Sequence, residues 1–154
     1  MNNGPDIKVN PFHMSVGVLV ASYILGEFVI PKYHLAYFFN LFGVLGLIVS
    51  VALFITGFTL FKSYEEDPKP NTSTKRLIKT GIYAYTRNPI YLAFVLFFLS
   101  MFLVFENVMY FLSALGLAVW LHHWAIKVEE EYLQQNFNEE YDRYKNAVKR
   151  WLFF

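Results

Sequence analysis

Three properties of this 154-residue sequence predict an all-α integral membrane protein with four transmembrane helices, the last two a helical hairpin, and an amphipathic C-terminal helical segment on the cytoplasmic side. The first is composition. Of the residues, 56% are hydrophobic, 20% aromatic and only 16% charged, whereas a soluble domain carries about 25% charged residues. A single domain of this size cannot bury so much apolar surface within itself, so the bilayer has to act as a second solvent. The second property is the placement of charge, which leaves long stretches with no ionised side chain. The third is the segment after residue 126, where apolar residues recur at helical spacing among charged ones.

The elements follow in order along one domain, residues 1–154. Residues 14–30 are the first apolar segment, interrupted only by Glu27 and closed by Pro31. The segment has no Arg/Lys-rich flank before it and no small-residue cleavage site after it, so it reads as a span rather than a secretory signal. Glu27, an ionisable residue inside a span, is either a functional group or a side chain snorkelling to the nearby interface. Residues 35–61 contain no charge. At about 1.5 Å per residue they make a helix near 40 Å long, which exceeds the roughly 30 Å hydrocarbon core and must tilt or project into the headgroups. Between Arg87 and Lys127 the only charge is Glu106. It divides that stretch into two spans, residues 89–105 and 107–126, joined by a tight hairpin. In residues 127–150 and just beyond, Leu133, Phe137, Tyr141, Tyr144, Val148 and Trp151 recur at intervals of three and four. This amphipathic pattern predicts one or two helices on the membrane surface or folded against the spans. Asn138 is the expected break, because Asn tolerates the left-handed conformation that a helix end often needs.

Orientation follows from the basic residues, since cytoplasmic loops retain Lys and Arg. With four spans and both termini cytoplasmic, 12 of the 13 basic residues lie on that side and Lys32 alone on the other. Residues 62–88 and 127–150 then share the cytoplasmic face of the inner or cytoplasmic membrane, and the functional site is expected there. The formal net charge of +1 advertises no nucleic-acid partner. With no cysteine there is no disulfide, no Cys-ligated metal and no thiol nucleophile.

Two segments concentrate polar chemistry at the mouths of spans. The first runs from Gly81 through Tyr83, Tyr85, Arg87, Asn88, Pro89 and Tyr91 to Leu92. Pro89 suits the first turn of a helix, and Asn88 before it suits a side-chain cap. Free backbone N–H groups and the positive dipole end then offer a site for a carboxylate or phosphate, reinforced by Arg87. The plainer reading is that Asn-Pro only starts the span while Arg87 and the tyrosines anchor it among headgroups. The second segment is Glu129-Glu130-Glu131. Successive helical positions are about 100° apart, so at most two of these carboxylates face one cavity, and a wholly solvated helix face is the plainer alternative. His122 and His123 lie at the cytoplasmic end of the fourth span, where a ligand contact and simple packing are both open.

Together the two segments resemble the membrane-embedded methyltransferases of the isoprenylcysteine carboxyl methyltransferase and phospholipid methyltransferase group. The likeness rests on Gly81, Tyr83, Arg87, Asn88, Pro89 and Tyr91, then a hairpin, then Glu129, Glu130, Leu133, Phe137, Tyr141 and Tyr144, continued by Val148, Arg150 and Trp151. It covers roughly residues 70–152, and Asn138 stands where Gly is usual. The resemblance implies S-adenosyl-L-methionine as methyl donor, with S-adenosyl-L-homocysteine as product. It also implies a cytoplasmic-side pocket between the last two spans and the C-terminal segment. Arg87, Glu129 and Glu130 become the candidate catalytic residues. The candidate donor-binding set is Gly81, Tyr83, Arg87, Asn88, Pro89, Tyr91, Leu92, His122, Glu129 and Glu130, with no metal. The implied acceptor is a membrane lipid or lipid-like molecule entering from the bilayer. The alternatives are a haem protein using His122 or His123 with His13, and a non-catalytic four-helix membrane scaffold.

Overall fold

The computed structural model describes residues 4–30, 34, 37–69 and 71–152. Pro31, Lys32 and Leu35, expected respectively to close the first span, to lie in the first loop and to open the second span, are outside the described residues. The expected all-α fold is observed, with no strand among the described residues.

Helix α1 (Pro11–Phe28) starts where Asn10 accepts a hydrogen bond from the Phe12 N–H at 2.9 Å and Pro11 occupies the first position. A proline there loses no intrahelical bond, so α1 begins a turn before the expected residue 14. Helix α2 (Tyr37–Ser63) is the long uncharged segment and carries Lys62 in its last turn. A loop and a single 3-10 turn (Gly81–Ala84) lead to α3 (Pro89–Phe105), whose bounds match the expected ones. Gly81 adopts φ 58°, a left-handed conformation that costs glycine little. The hairpin takes two residues. Glu106 closes α3 in the left-handed region at φ 55°, and Asn107 caps the next helix by accepting from the Met109 N–H at 2.9 Å.

Helix α4 (Val108–Trp120), a widened π turn (Leu121–Ile126) and α5 (Lys127–Ala147) follow one another with no loop between them, and α5 is kinked at Asn138. About 30 residues precede the kink, and at about 1.5 Å each they are near 45 Å long, more than the roughly 30 Å hydrocarbon core, so the polar α5 half must leave the bilayer. The amphipathic segment continues α4 without a loop and, in one of the expected arrangements, folds back past the kink, where Lys145 Nζ reaches Gln134 Oε1 at 3.2 Å. It ends at Ala147, followed by a short strap over residues 148–152. Asn138 is the expected break, with φ 41° and ψ −116°. The run from Val108, α1 and α2 are long and apolar enough to cross a membrane, while α3 has 17 residues, the lower limit for a span.

Helix α2 packs along α3, α3 on α4, and α4 on α1. Polar atoms between apolar helices find partners on the neighbouring backbone. Ser50 Oγ donates to Ala93 O at 3.0 Å, and Asn40 Nδ2 donates to the carbonyls of Leu103 and Val104, both at 3.1 Å. Such bonds and small residues bring transmembrane helices together where no hydrophobic force does. Gly26 of α1 lies against the Asn107 amide so closely that a Cβ would stand 1.6 Å from Nδ2. The interior is filled by Phe98, Tyr110, Ala114, Leu117, Leu121 and Ile126, with Trp151 of the strap packed on the same core. Outward faces remain apolar, as Val20 and Ile24 on α1 and Leu45, Ile48 and Ile55 on α2 illustrate, which suits contact with lipid.

Candidate functional site

The turn before α3 and the strap after α5 are sewn together backbone to backbone. The Arg87 N–H donates to Lys149 O at 3.0 Å, and Thr86 Oγ1 and Asn88 Nδ2 both donate to Arg150 O, at 3.1 and 2.9 Å. Tyr144 adds a bond from its hydroxyl to Tyr83 O at 2.7 Å. The Asn88 side chain is therefore committed to the strap and does not cap α3, contrary to expectation. A tertiary acceptor at good distance has outcompeted the local N–H groups. Pro89 still opens the helix, and its intrahelical ladder begins with the Leu92 N–H on Asn88 O at 2.9 Å. The N–H groups of Ile90 and Tyr91 lie ahead of that ladder, at the positive end of the dipole.

The π turn sets the carboxylates. A widened turn adds a residue to the helical repeat and rotates everything beyond it by about 100°. Glu129 then meets α3, where it accepts the Tyr91 hydroxyl hydrogen at 2.5 Å. Glu130 points to Arg87 Nη1 at 3.2 Å and accepts from Arg150 Nε at 3.0 Å, with a second bond from Arg150 Nη2 to its other oxygen. Glu131 is exposed, in line with the rule that at most two of the three can share a cavity. Arg87 also donates to the Tyr141 hydroxyl at 3.2 Å, and its side chain is only 9% exposed. Its Nε is buried without a hydrogen-bond partner.

These groups line a cavity of about 520 Å³, within the range of about 300–1,000 Å³ typical of small-molecule sites. Its polar lining includes Arg87, Glu129, Glu130, Tyr83 and Tyr91, and its apolar lining Phe12, Phe54, Phe58 and Phe94. Asp67, Lys69, Thr72 and Arg76 of the loop after α2 also line it. That loop is held in place by Glu66, which accepts the Lys75 N–H on both oxygens at 3.1 Å, and by Asn71. The Asn71 amide bonds the Ile7 N–H and Ile7 O at 2.8 and 2.9 Å. Thr74 N–H donates to the Tyr132 hydroxyl at 3.0 Å, tying the loop to α5.

Burial raises the Glu129 carboxyl to about 7, with the Tyr91 hydrogen bond opposing the rise and the Glu130 charge adding to it. Burial likewise pushes the Tyr141 phenol to about 12, with Glu130 raising it further and Arg87 pulling it back. Tyr83 is held far above its ordinary value by burial first and the Glu129 charge second.

Of the residues singled out in the sequence, Tyr83, Arg87, Asn88, Pro89, Tyr91, Glu129 and Glu130 come together around the cavity. Gly81, Leu92 and His122 are not among its lining residues. Gly81 is exposed in the 3-10 turn, Leu92 packs against the core, and His122 Nε2 lies 3.1 Å from Arg150 Nη1. Tyr141, Tyr144 and Arg150, noted only as parts of a pattern, prove to hold the site together. The contribution of Pro5, Asn10, Pro11 and Phe12 had no signal in the sequence.

The family described as phospholipid methyltransferase matches residues 41–140, a stretch that includes both site segments. The chain is 29% identical over 153 residues to the protein-S-isoprenylcysteine O-methyltransferase of Saccharomyces cerevisiae, covering 96% of this chain and 63% of that protein. It thus spans less than two thirds of that relative's length. An uncharacterized protein of Haemophilus influenzae is 36% identical over 62 residues, covering 40% of this chain and 98% of its own. No solved structure matches the chain significantly. With its long apolar helices and both site segments inside the matched stretch, this chain is an integral membrane protein that belongs to the phospholipid methyltransferase family.

Proposed function

We propose that the protein is a membrane methyltransferase that uses S-adenosyl-L-methionine and acts on a hydrophobic or lipid-linked acceptor. The observation that carries this reading is one cavity lined both by Arg87, Glu129 and Glu130 and by Phe12, Phe54, Phe58 and Phe94. The donor, when bound, supplies an electrophilic methyl group on a sulfonium and leaves as S-adenosyl-L-homocysteine. The chain has groups that fit it. Arg87, whose Nε lacks a partner, and the N–H groups at the start of α3 would hold its carboxylate, and Glu129 its ammonium.

Methyl transfer is an in-line displacement, so holding both reactants in line supplies much of the rate. Here the cavity wall is built from packed helices and the latched turn. A carboxylate acceptor needs no base. An amine or thiol acceptor must lose a proton, and the carboxylates that line the cavity are the groups there that take one up. The family description names phospholipid and the yeast relative is named for isoprenylcysteine, and both acceptor classes offer an apolar chain for the phenylalanine lining. The bias of basic residues supports a cytoplasmic site with both termini on that side.

The test is transfer of labelled methyl from the donor to membrane lipid extracts and to thiol extracts, with calorimetric binding of S-adenosyl-L-homocysteine to the purified protein. Binding and label in one extract are expected, and the Arg87→Ala variant should lose both. Absence of product binding and of label from either extract overturns the reading.

A further inference from the structure

Glu129 and Glu130 are neighbours in sequence but not equivalent in the site, and the difference traces to the strap. Both oxygens of Glu130 are taken by Arg150, through Nε at 3.0 Å and Nη2, while Arg87 approaches one of them at 3.2 Å from the other side. The Glu130 side chain is 14% exposed and that of Arg150 25%. Glu129 receives one hydrogen bond in this cluster, from Tyr91.

We infer that Arg150 is a positioning residue: its guanidinium occupies Glu130, so that Glu130 steadies Arg87 while Glu129 alone is left to meet the donor's ammonium. The inference rests on the donor reading above. Two guanidinium groups already meet both oxygens of Glu130 and offset its charge, so it offers an ammonium at most one remaining lone pair and little attraction, and charge-assisted bidentate bonds are among the stronger ones in proteins. Glu129 has no such competitor. Removing Arg150 would leave Glu130 with one free oxygen and Arg87 as its sole cation, so Arg87 would be drawn toward it and Glu130 would compete for the ammonium. The backbone of Arg150 does a separate job, since its carbonyl accepts the Thr86 and Asn88 side chains. Buried Trp151 keeps the strap seated. Replacing the side chain alone therefore leaves the latch intact and isolates the guanidinium.

The experiment compares wild-type protein with Arg150→Ala and Arg150→Lys in detergent, measuring S-adenosyl-L-homocysteine affinity, donor KM and kcat. In Arg150→Ala, affinity should fall by about tenfold or more, as expected for one partner of a largely desolvated charge pair. The loss should fall on donor KM more than on kcat. Methylguanidinium added in solution should restore affinity and methylammonium should not, a discrimination that a merely structural defect would not show. Arg150→Lys should remain impaired, because an ammonium cannot span both Glu130 oxygens. If the alanine variant does not fold, the lysine variant decides: an impaired affinity supports the role and wild-type affinity overturns it. Wild-type protein that binds no S-adenosyl-L-homocysteine defeats the donor reading and this inference with it. Wild-type binding that persists undiminished in both variants, or an alanine variant not rescued by methylguanidinium, defeats only the role of Arg150.

Discussion

Replacing Glu129 with Gln should stabilise the protein by an amount that grows with pH. The carboxyl is raised from 4.5 to about 7, by burial first, against the Tyr91 hydrogen bond and with the Glu130 charge adding. At about 1.4 kcal/mol for each unit, ionising Glu129 in the folded protein costs up to about 3 kcal/mol more than in the unfolded chain, and water in the cavity reduces that figure. The folded state binds the proton more tightly, so this contribution to stability is fully present below about pH 4.5. It is lost as pH rises through about 7. Gln keeps the shape and still accepts the Tyr91 hydroxyl hydrogen but has no charge to form. The charged and titratable groups facing the site are Tyr83, Tyr91, Glu130 and, across Glu130, Arg87, and all are retained in the variant. Thermal unfolding in detergent across this pH range should show the two proteins closest in acid. The variant should become more stable by several degrees near pH 8, on the order of 5–10 °C for a chain of this size. A difference that stays constant with pH, or a wild-type protein that gains on the variant as pH rises, would refute the burial argument.

Tyr91→Phe removes the one bond that opposes the rise in Glu129, so the inflection in wild-type stability should move to higher pH, as read in the same melts. Donor binding near pH 6.5 should release protons, because an ammonium favours the Glu129 carboxylate; calorimetry in buffers of differing ionisation enthalpy measures this, and a null proton count would argue for a different ammonium partner. Gly26→Ala should destabilise the fold by about 1–3 kcal/mol, since its Cβ meets the Asn107 amide at 1.6 Å; a melting temperature equal to wild type would mean that α1 and the hairpin can separate freely. Asn71→Ala should speed hydrogen exchange at the Ile7 amide and leave that of the α4 core unchanged, because both bonds from Asn71 reach the Ile7 backbone.

The parts legible in the sequence are those set by hydropathy and by residues close along the chain. The charge-free run before Lys62, the Asn-Pro opening of α3, the two-residue hairpin around Glu106 and the break at Asn138 all appear at or near their expected places. Each depends on a local property: a stretch that lipid tolerates, a fixed proline φ, or a residue at ease in the left-handed region. The gathering of Arg87, Glu129 and Glu130 was legible too, because a hairpin of two spans returns the chain to the face it left.

What the tertiary structure alone decided lies in contacts between residues distant in sequence. Asn88 was expected to cap its own helix, yet its amide serves Arg150 O, 62 positions away. Hydrophobic spacing could not foresee that, because it reports which face of a helix is apolar and not which distant acceptor arrives beside it. The π turn is likewise invisible to a 3.6-residue period, yet it turns Glu129 toward Tyr91 and Glu130 toward the arginines. The sequence by itself determined that this chain lives in a bilayer and where its polar segments emerge, because hydropathy and charge act residue by residue. Only the folded chain assigned two adjacent carboxylates to different partners, because a side chain's electrostatic role is set by what packs against it.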